Sequence, residues 1–140
     1  IIFNFDVTYH IIIKHKEKIM ATLNKKNFDN PDETMTPPKT RVDNVDLGNG
    51  QTAMRIKAEQ GWKWSECIKP AVKTDSCEKS HFGVCISGKM LVTHDDGSSI
   101  EVGPGDAYAF APGHDGEVIS DEPFVGYEFN SATAATYAKE

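Results

Sequence analysis

Apolar and polar residues alternate in short runs along most of the chain, and turn residues separate these runs. From residue 41 onward the runs are roughly five to eight residues long, with Gly, Pro and Asp between them. A period of two is typical of strands with one buried face, and no run between the strands shows the period of an amphipathic helix. The pattern predicts an antiparallel all-β barrel or sandwich and excludes a parallel sheet of alternating strands and helices.

The turn sequences set the boundaries of the predicted strands. Gly48-Asn49-Gly50, Asp95-Asp96-Gly97 and Gly103-Pro104-Gly105-Asp106 combine Gly, which tolerates positive φ, with Pro or Asp. The strands predicted between turns are 42–47, 52–59, 62–68, 81–87, 89–94, 98–102, 107–111, 117–120 and 124–129. Strands 81–87 and 89–94 are expected to pair around Gly88. Residues 69–79 are predicted to form a polar loop, and residues 112–115 a turn.

The two ends of the chain lack this alternation. Residues 24–40 are polar, contain three prolines and are predicted to form an extended arm. Residues 1–19 are rich in Ile and fit either upstream read-through before a natural start at Met20 or an extra edge strand. Ser131 is predicted to cap a short C-terminal helix. The predicted organisation is a leader and arm over 1–40, a barrel over 41–130 and a tail or short helix over 131–140.

Charge, length and cysteine count narrow the possible functions. A chain of 140 residues allows one domain, and its formal charge of −6 without a Lys/Arg cluster argues against nucleic-acid binding. No apolar run approaches the roughly 18 residues of a membrane span, so no membrane partner is expected. The three cysteines, Cys67, Cys77 and Cys85, include no CxxC pair. Reduced thiols and a cytoplasmic location are therefore expected.

The hairpin ISGKMLV, the turn sequence GPGDAYAFAPG and the spacing between them resemble a single-domain cupin of the cupin-2 type. The resemblance covers roughly residues 42–129. It implies a small jelly-roll barrel, an antiparallel double-stranded β-helix whose working surface lies inside. Metal-bearing cupins hold one divalent ion there with three His and one Glu from two sequence motifs.

The first of these motifs is only partly matched. Gly88 stands where the motif closes with Gly, and His81 stands at the Glu position. The two His positions fall on Asp75 and Cys77, or one residue earlier each if the spacing is longer by one. The resemblance therefore implies a first motif with altered ligand types.

The second motif is altered in the same way. Gly105 and Gly113 match its glycines, and Ala111 stands at its Pro position. Gly116 occupies the expected His position, while His114 lies two residues earlier. His114 is therefore the imidazole that this motif offers.

Four residues are candidate metal ligands, because a carboxylate, a thiolate and two imidazoles are groups that bind transition metals. They are Asp75, Cys77, His81 and His114. The resemblance implies that segments 75–81 and 114–116 approach each other at the barrel mouth, and one divalent Zn, Fe, Mn or Ni ion is the possible cofactor. The alternatives stay open: a loop at residues 79–80, Cys77 as a small buried apolar residue, and His114 facing solvent.

Period-two alternation also assigns the faces of strand 81–87. His81, Gly83 and Cys85 are predicted to point inward, where small side chains leave room for a ligand. The apolar residues between them point outward and require cover by a second sheet or a partner, which predicts a homodimer. The outward residues are Phe82, Val84 and Ile86, and the candidate ligand-binding residues are Trp62, Trp64, Glu66, Cys85 and Tyr108.

Three functions follow from this interpretation. The first is a cupin that binds a small molecule in its barrel, with or without a divalent metal. The second is a metal-dependent enzyme, an oxygenase, isomerase or lyase acting on a small substrate. The third is a dimeric structural module with a filled interior. The fold cannot decide among them, because one fold supports many functions.

Overall fold

The computed structural model describes residues 22–130, which form two antiparallel β-sheets packed against each other. Two short helices, α1 (Trp64–Cys67) and α2 (Lys69–Val72), lie between β3 and β4 in the sequence. The strands of this part of the chain are β1 (Glu33–Met35), β2 (Thr40–Gly48), β3 (Gln51–Ala58), β4 (His81–Ser87), β5 (Met90–His94), β6 (Ser99–Val102), β7 (Ala107–Phe110), β8 (His114–Val118) and β9 (Phe124–Asn130).

The larger sheet has six strands in the order β1-β2-β3-β9-β4-β7, and the smaller has three in the order β6-β5-β8. Every neighbouring pair is antiparallel. Apolar residues from both sheets meet in one buried core, which includes Met90 and Val92 of the small sheet and Tyr108 and Phe124 of the large one. The predicted all-β antiparallel barrel is therefore confirmed.

The predicted strand at 62–68 is wrong, because most of this stretch is helical. The amides of Cys67 and Ile68 donate to the carbonyls of Lys63 and Trp64 and close a single helical turn. Pro70 lies in the first turn of α2, where its missing N–H is not needed. The predicted polar loop at 69–79 accordingly begins with this helix.

The predicted pairing of strands 81–87 and 89–94 is also wrong. β4 pairs with β7 and β9, whereas β5 pairs with β6 and β8 in the other sheet. Gly88, with φ of 70°, lies between the two strands, and a Cβ there would collide with the backbone of Pro123. The chain therefore crosses from one sheet to the other at a position where only Gly fits.

Two further boundaries differ from the prediction. β8 begins at His114, earlier than the predicted strand at 117–120, because β5 pairs with it down to the His94–His114 position. Within the predicted arm, β1 pairs with β2 through Glu33–Met35. The predicted leader over 1–19 and the predicted C-terminal helix lie outside the described residues.

The inward and outward faces of β4 are as predicted. Gly83 and Cys85 are buried and His81 is partly buried, whereas Phe82 and Ile86 are 62% and 54% exposed. The homodimer that would cover this face stays a prediction. Among residues 22–130, no helix has the length and apolar character that crossing a membrane requires.

Candidate functional site

A cavity of about 590 Å³ lies inside the barrel, and residues from both sheets and both helices line it. Most of its wall is apolar, and Trp62 and Trp64 are part of it. Its size is in the range of cavities that hold small molecules. An open cavity argues against the filled interior expected of a purely structural module.

Backbone hydrogen bonds bring Cys77 and His114 together at this cavity. The Cys77 amide donates to the His114 carbonyl at 2.8 Å, and the Gly113 amide donates to the Cys77 carbonyl at 2.7 Å. The preceding residue is anchored as well, because the Ser76 hydroxyl donates to Asp95 Oδ2 at 2.8 Å. An irregular loop is thereby held against the start of β8.

His81 enters the same space from the first position of β4. Its Nε2 lies 3.6 Å from Cys77 Sγ, and the centre of its ring lies 5.1 Å from that of His114. One ligand atom from each of Cys77, His81 and His114 lies within 4.8 Å of the other two. We call these three residues the Cys-His-His cluster.

The hydrogen bonds of the two rings decide which nitrogens are free to bind a metal. His114 Nδ1 lies 2.6 Å from the Ala111 carbonyl oxygen, which can only accept, so Nδ1 carries a proton and Nε2 is the ring nitrogen left for another partner. His81 Nδ1 lies 2.7 Å from Glu128 Oε2, which likewise favours a proton on Nδ1. Both rings therefore offer Nε2 as the metal-binding nitrogen.

The cluster favours a thiolate at Cys77. Burial opposes ionisation of the thiol, but hydrogen bonds from His114 and His81 outweigh burial and lower the pKa of Cys77 to about 6. A thiolate is the form of cysteine that binds metals and acts as a nucleophile. The surroundings of Cys77 therefore favour its reactive form.

The pKa of His81 is shifted in the opposite direction to that of Cys77. Burial favours the neutral ring, but hydrogen bonds to Cys77 and Glu128, together with their negative charges, raise the pKa of His81 to about 10. Metal binding at Nε2 must therefore release a proton from this ring, which makes metal affinity dependent on pH.

Glu128 is the site residue that the sequence interpretation missed. It is buried on β9, and its second oxygen, Oε1, accepts a hydrogen bond from the Tyr108 hydroxyl at 2.9 Å. A signal for it existed, since alternation from Phe124 places residue 128 on the inward face of the last strand, where a charged side chain needs a partner. Glu128 orients His81 from behind and does not belong to the Cys-His-His cluster.

Two glycines provide the space for this arrangement. A Cβ at Gly83 would collide with the backbone of Tyr127 and come within 2.9 Å of Glu128 Cγ. A Cβ at Gly126 would lie 2.6 Å from the Tyr108 hydroxyl oxygen. Without these glycines, Tyr108, Glu128 and His81 could not form a continuous hydrogen-bonded row.

The other predicted site residues occupy different positions. Asp75 is exposed and does not reach the cluster, and Glu66 is exposed on α1. Cys85 is fully buried and outside the cavity lining, with its Sγ 3.3 Å from the Ser87 carbonyl, and burial raises the pKa of its thiol. Tyr108 is buried behind the site, where burial and Glu128 raise the pKa of its hydroxyl.

The donor set of the cluster fits a divalent transition metal. Bond lengths of about 2.3 Å to sulfur and 2.0 Å to nitrogen in a tetrahedral site place the two ligand atoms roughly 3.5 Å apart. Cys77 Sγ and His81 Nε2 are separated by 3.6 Å. One thiolate and two imidazoles are softer ligands than Mg²⁺ or Ca²⁺ prefer.

The chain resembles known proteins in fold and not in sequence. No protein-family model matches it, and no curated protein sequence matches it significantly. Among solved structures it is similar to KdgF from Halomonas sp., with a TM-score of 0.54 and 18% identity over 78% of this chain and 93% of that chain.

Two further structures show the same architecture. A sugar phosphate isomerase of the cupin superfamily from Silicibacter pomeroyi matches with a TM-score of 0.53 and 19% identity, over 75% of this chain and 73% of that one. An oxalate decarboxylase from Lactobacillus farciminis, solved with formate, matches with a TM-score of 0.58 and 13% identity over 80% of this chain. The chain spans only 34% of that decarboxylase. With its two antiparallel sheets around an internal cavity, this chain adopts the cupin fold.

Proposed function

We propose that this protein binds one divalent transition metal and a small molecule inside its barrel. The observation that supports the proposal is the Cys-His-His cluster, whose three ligand atoms lie within 4.8 Å of one another at the wall of the cavity. Because Cys77 must stay reduced to bind a metal, the proposal includes a cytoplasmic location.

Each residue of the site has a separate role in this proposal. Cys77 supplies a thiolate, and His81 and His114 supply neutral Nε2 atoms. Glu128 holds the His81 ring in the orientation and tautomer that this requires. Zn²⁺, Fe²⁺ and Ni²⁺ suit this mixture of sulfur and nitrogen ligands, with Mn²⁺ as the weakest binder of the four candidate metals.

The same arrangement favours a second function, catalysis on the bound molecule by an oxygenase, isomerase or lyase reaction. Three protein ligands are the number found in catalytic zinc sites, which leave one position for water or substrate. A metal held there supplies Lewis acidity to an oxygen atom of the bound molecule. The apolar wall around the cluster lowers the local dielectric constant and strengthens these electrostatic interactions.

Metal analysis of the purified protein tests the proposal. We expect about one transition-metal ion per chain in protein prepared without chelators, measured by plasma mass spectrometry. Cys77→Ser, His81→Ala and His114→Ala should each lower the metal content at least tenfold while the circular dichroism spectrum is retained.

Cys67→Ser is the matched control, because Cys67 is partly buried and lies outside the cluster. It should retain the metal. Protein that binds none of Zn²⁺, Fe²⁺, Mn²⁺ and Ni²⁺ at micromolar concentration, or a Cys77→Ser variant with unchanged metal content, would contradict the proposal.

A further inference from the structure

The polar groups of the cavity wall are concentrated in one region. Apart from Thr40 and the indole N–H of Trp62, they come from segment 74–81, from His114 and from Glu128. The rest of the wall is formed by aliphatic, aromatic and methionine side chains from the arm, from β2, β3, β5, β7 and β9, and from the helical segment. A ligand that fills this space therefore meets polar groups at one end and apolar surface along its body.

Most of the polar groups in the wall already have partners within the protein. The Thr40 hydroxyl donates to the Pro38 carbonyl at 2.9 Å, and the Thr74 hydroxyl donates to the Ser76 carbonyl at 2.7 Å. Both oxygens of Glu128 are occupied by His81 and Tyr108. Outside the Cys-His-His cluster, the groups that remain for a ligand are the buried Trp62 Nε1–H, which has no partner among residues 22–130, and the exposed side chains of Glu78 and Lys79.

Such a wall is expected to bind a polyhydroxylated ligand weakly. Each hydroxyl that enters an apolar site without a partner loses its hydrogen bonds to water and gains none in return. An apolar body gains from the same burial, and methionines adapt to its shape. Met35, Met54 and Met90, three of the four methionines of the chain, line the cavity.

We infer that the cavity takes an apolar or aromatic monocarboxylic acid, with its carboxylate toward the Cys-His-His cluster and its body against Trp62, Trp64 and the methionines. This inference rests on the proposed function for the carboxylate, which binds as an oxygen ligand to the metal. The preference for an apolar body rests on the wall alone. This preference for an apolar body would distinguish the ligand of this protein from a sugar.

The chain contains its own reporter for this test. Trp62 and Trp64 are its only tryptophans, and both line the cavity, so all of the tryptophan fluorescence comes from the cavity wall. Zn²⁺-loaded protein is titrated with 3-phenylpropionate, with 3-phenylpropanol and with galacturonate while the emission is recorded. We expect saturable binding of 3-phenylpropionate at least tenfold tighter than that of either other compound.

A wall variant links the signal to the cavity. Ile56→Gln places an amide in the lining and should weaken 3-phenylpropionate binding at least fivefold, whereas Ile119→Gln, at an exposed position outside the lining, should not. If Ile56→Gln does not fold, the order of the affinities of the three compounds for the wild-type protein still tests the inference. Equal or tighter binding of galacturonate, or no saturable response to 3-phenylpropionate, overturns the inference.

Metal-free protein separates this inference from the proposed function. There, 3-phenylpropionate should still bind more tightly than galacturonate, while its advantage over 3-phenylpropanol should fall below threefold. A protein that binds no metal but keeps the apolar preference overturns the proposed function and the carboxylate orientation. A protein that binds metal but prefers galacturonate overturns the inference alone.

Discussion

At the scale of single residues, the orientation of His81 depends on the buried carboxylate of Glu128. One oxygen of this carboxylate faces His81 Nδ1 at 2.7 Å and the other accepts from Tyr108 at 2.9 Å. Such carboxylate–histidine pairs fix the ring tautomer and raise the basicity of the metal-binding nitrogen. Glu128 is therefore a positioning residue for the proposed metal site.

Glu128→Gln tests this role. The amide can still hydrogen-bond but carries no charge, so we expect metal affinity to fall about 10- to 100-fold. Competition with a chromophoric chelator measures the affinity. Tyr108→Phe removes only the outer hydrogen bond and should have a smaller effect. Equal affinities for Glu128→Gln and the wild type would show that Glu128 does not act on His81.

Gly83→Ala tests the close packing of β4 against β9. A Cβ at residue 83 would collide with the Tyr127 backbone, which cannot move without disturbing the sheet. Overpacking of this kind costs about 1–3 kcal/mol in the free energy of unfolding, and urea titration measures it. Gly103→Ala is the control, because the nearest atom to its Cβ would lie 3.7 Å away and its φ is not positive. A Gly83→Ala variant as stable as Gly103→Ala would contradict the packing described.

At the scale of elements, an ionic network centred on the buried Asp43 ties the arm to the large sheet. The Asp43 carboxylate on β2 pairs with Arg41 and with Arg55 of β3 at 3.0 Å, and accepts a hydrogen bond from Thr34 of β1 at 2.8 Å. Arg55 also reaches Asp29 of the arm at 3.0 Å. Because the arm supplies Met35 to the cavity wall, this network also helps to shape the site.

Acid titration of stability tests the network. The hydrogen bond from Arg41, aided by those from Thr34 and Arg55, outweighs burial and lowers the pKa of Asp43 to about 2. The resulting stabilisation is complete above the unfolded pKa of about 4 and is lost as the pH falls through the folded pKa of about 2. We expect a loss of about 2 kcal/mol across this window, measured by urea unfolding at each pH. Asp43→Asn should be less stable at neutral pH and should lack this part of the decline; an unchanged acid profile would contradict the assignment.

At the scale of the whole molecule, the outer face of the large sheet carries an apolar patch. Phe82 and Ile86 of β4 and Phe129 of β9 are each close to half exposed or more, and the pairing of Gly83 with Glu128 makes Phe82 and Phe129 neighbours. Exposed apolar residues that cluster in this way are typical of interaction surfaces.

We predict that two copies of the chain associate through this patch. Sedimentation velocity at micromolar concentration should give a homodimer, and Phe82→Asp should give a monomer with an unchanged circular dichroism spectrum. Ile119→Asp, a substitution at another exposed apolar position, should stay dimeric. A wild-type monomer would contradict the prediction.

Much of the fold and part of the site could be predicted from the sequence, because alternation and turn residues are local signals. The inward positions of Gly83 and Cys85 followed from period two, and Cys77, His81 and His114 were recognisable by ligand type. Asp75 is also a metal-ligand type, and it lies an even number of positions from Cys77 and His81, so an extended strand would place all three on one face. The loop at 73–80 is not extended, however, and leaves Asp75 exposed.

What the amino-acid sequence by itself determined is the all-β class, the turns and the set of residues with metal-binding chemistry, since these depend on neighbouring residues. The tertiary structure alone decided which sheet each strand joins, that residues 64–72 are helical, and that Glu128 stands behind His81. The sheet that each strand joins and the position of Glu128 depend on pairings between residues distant in the chain, such as Cys77 with His114 and Gly83 with Glu128. No local pattern encodes such pairings, because their free energy comes from burial and hydrogen bonds that exist only once the sheets have packed.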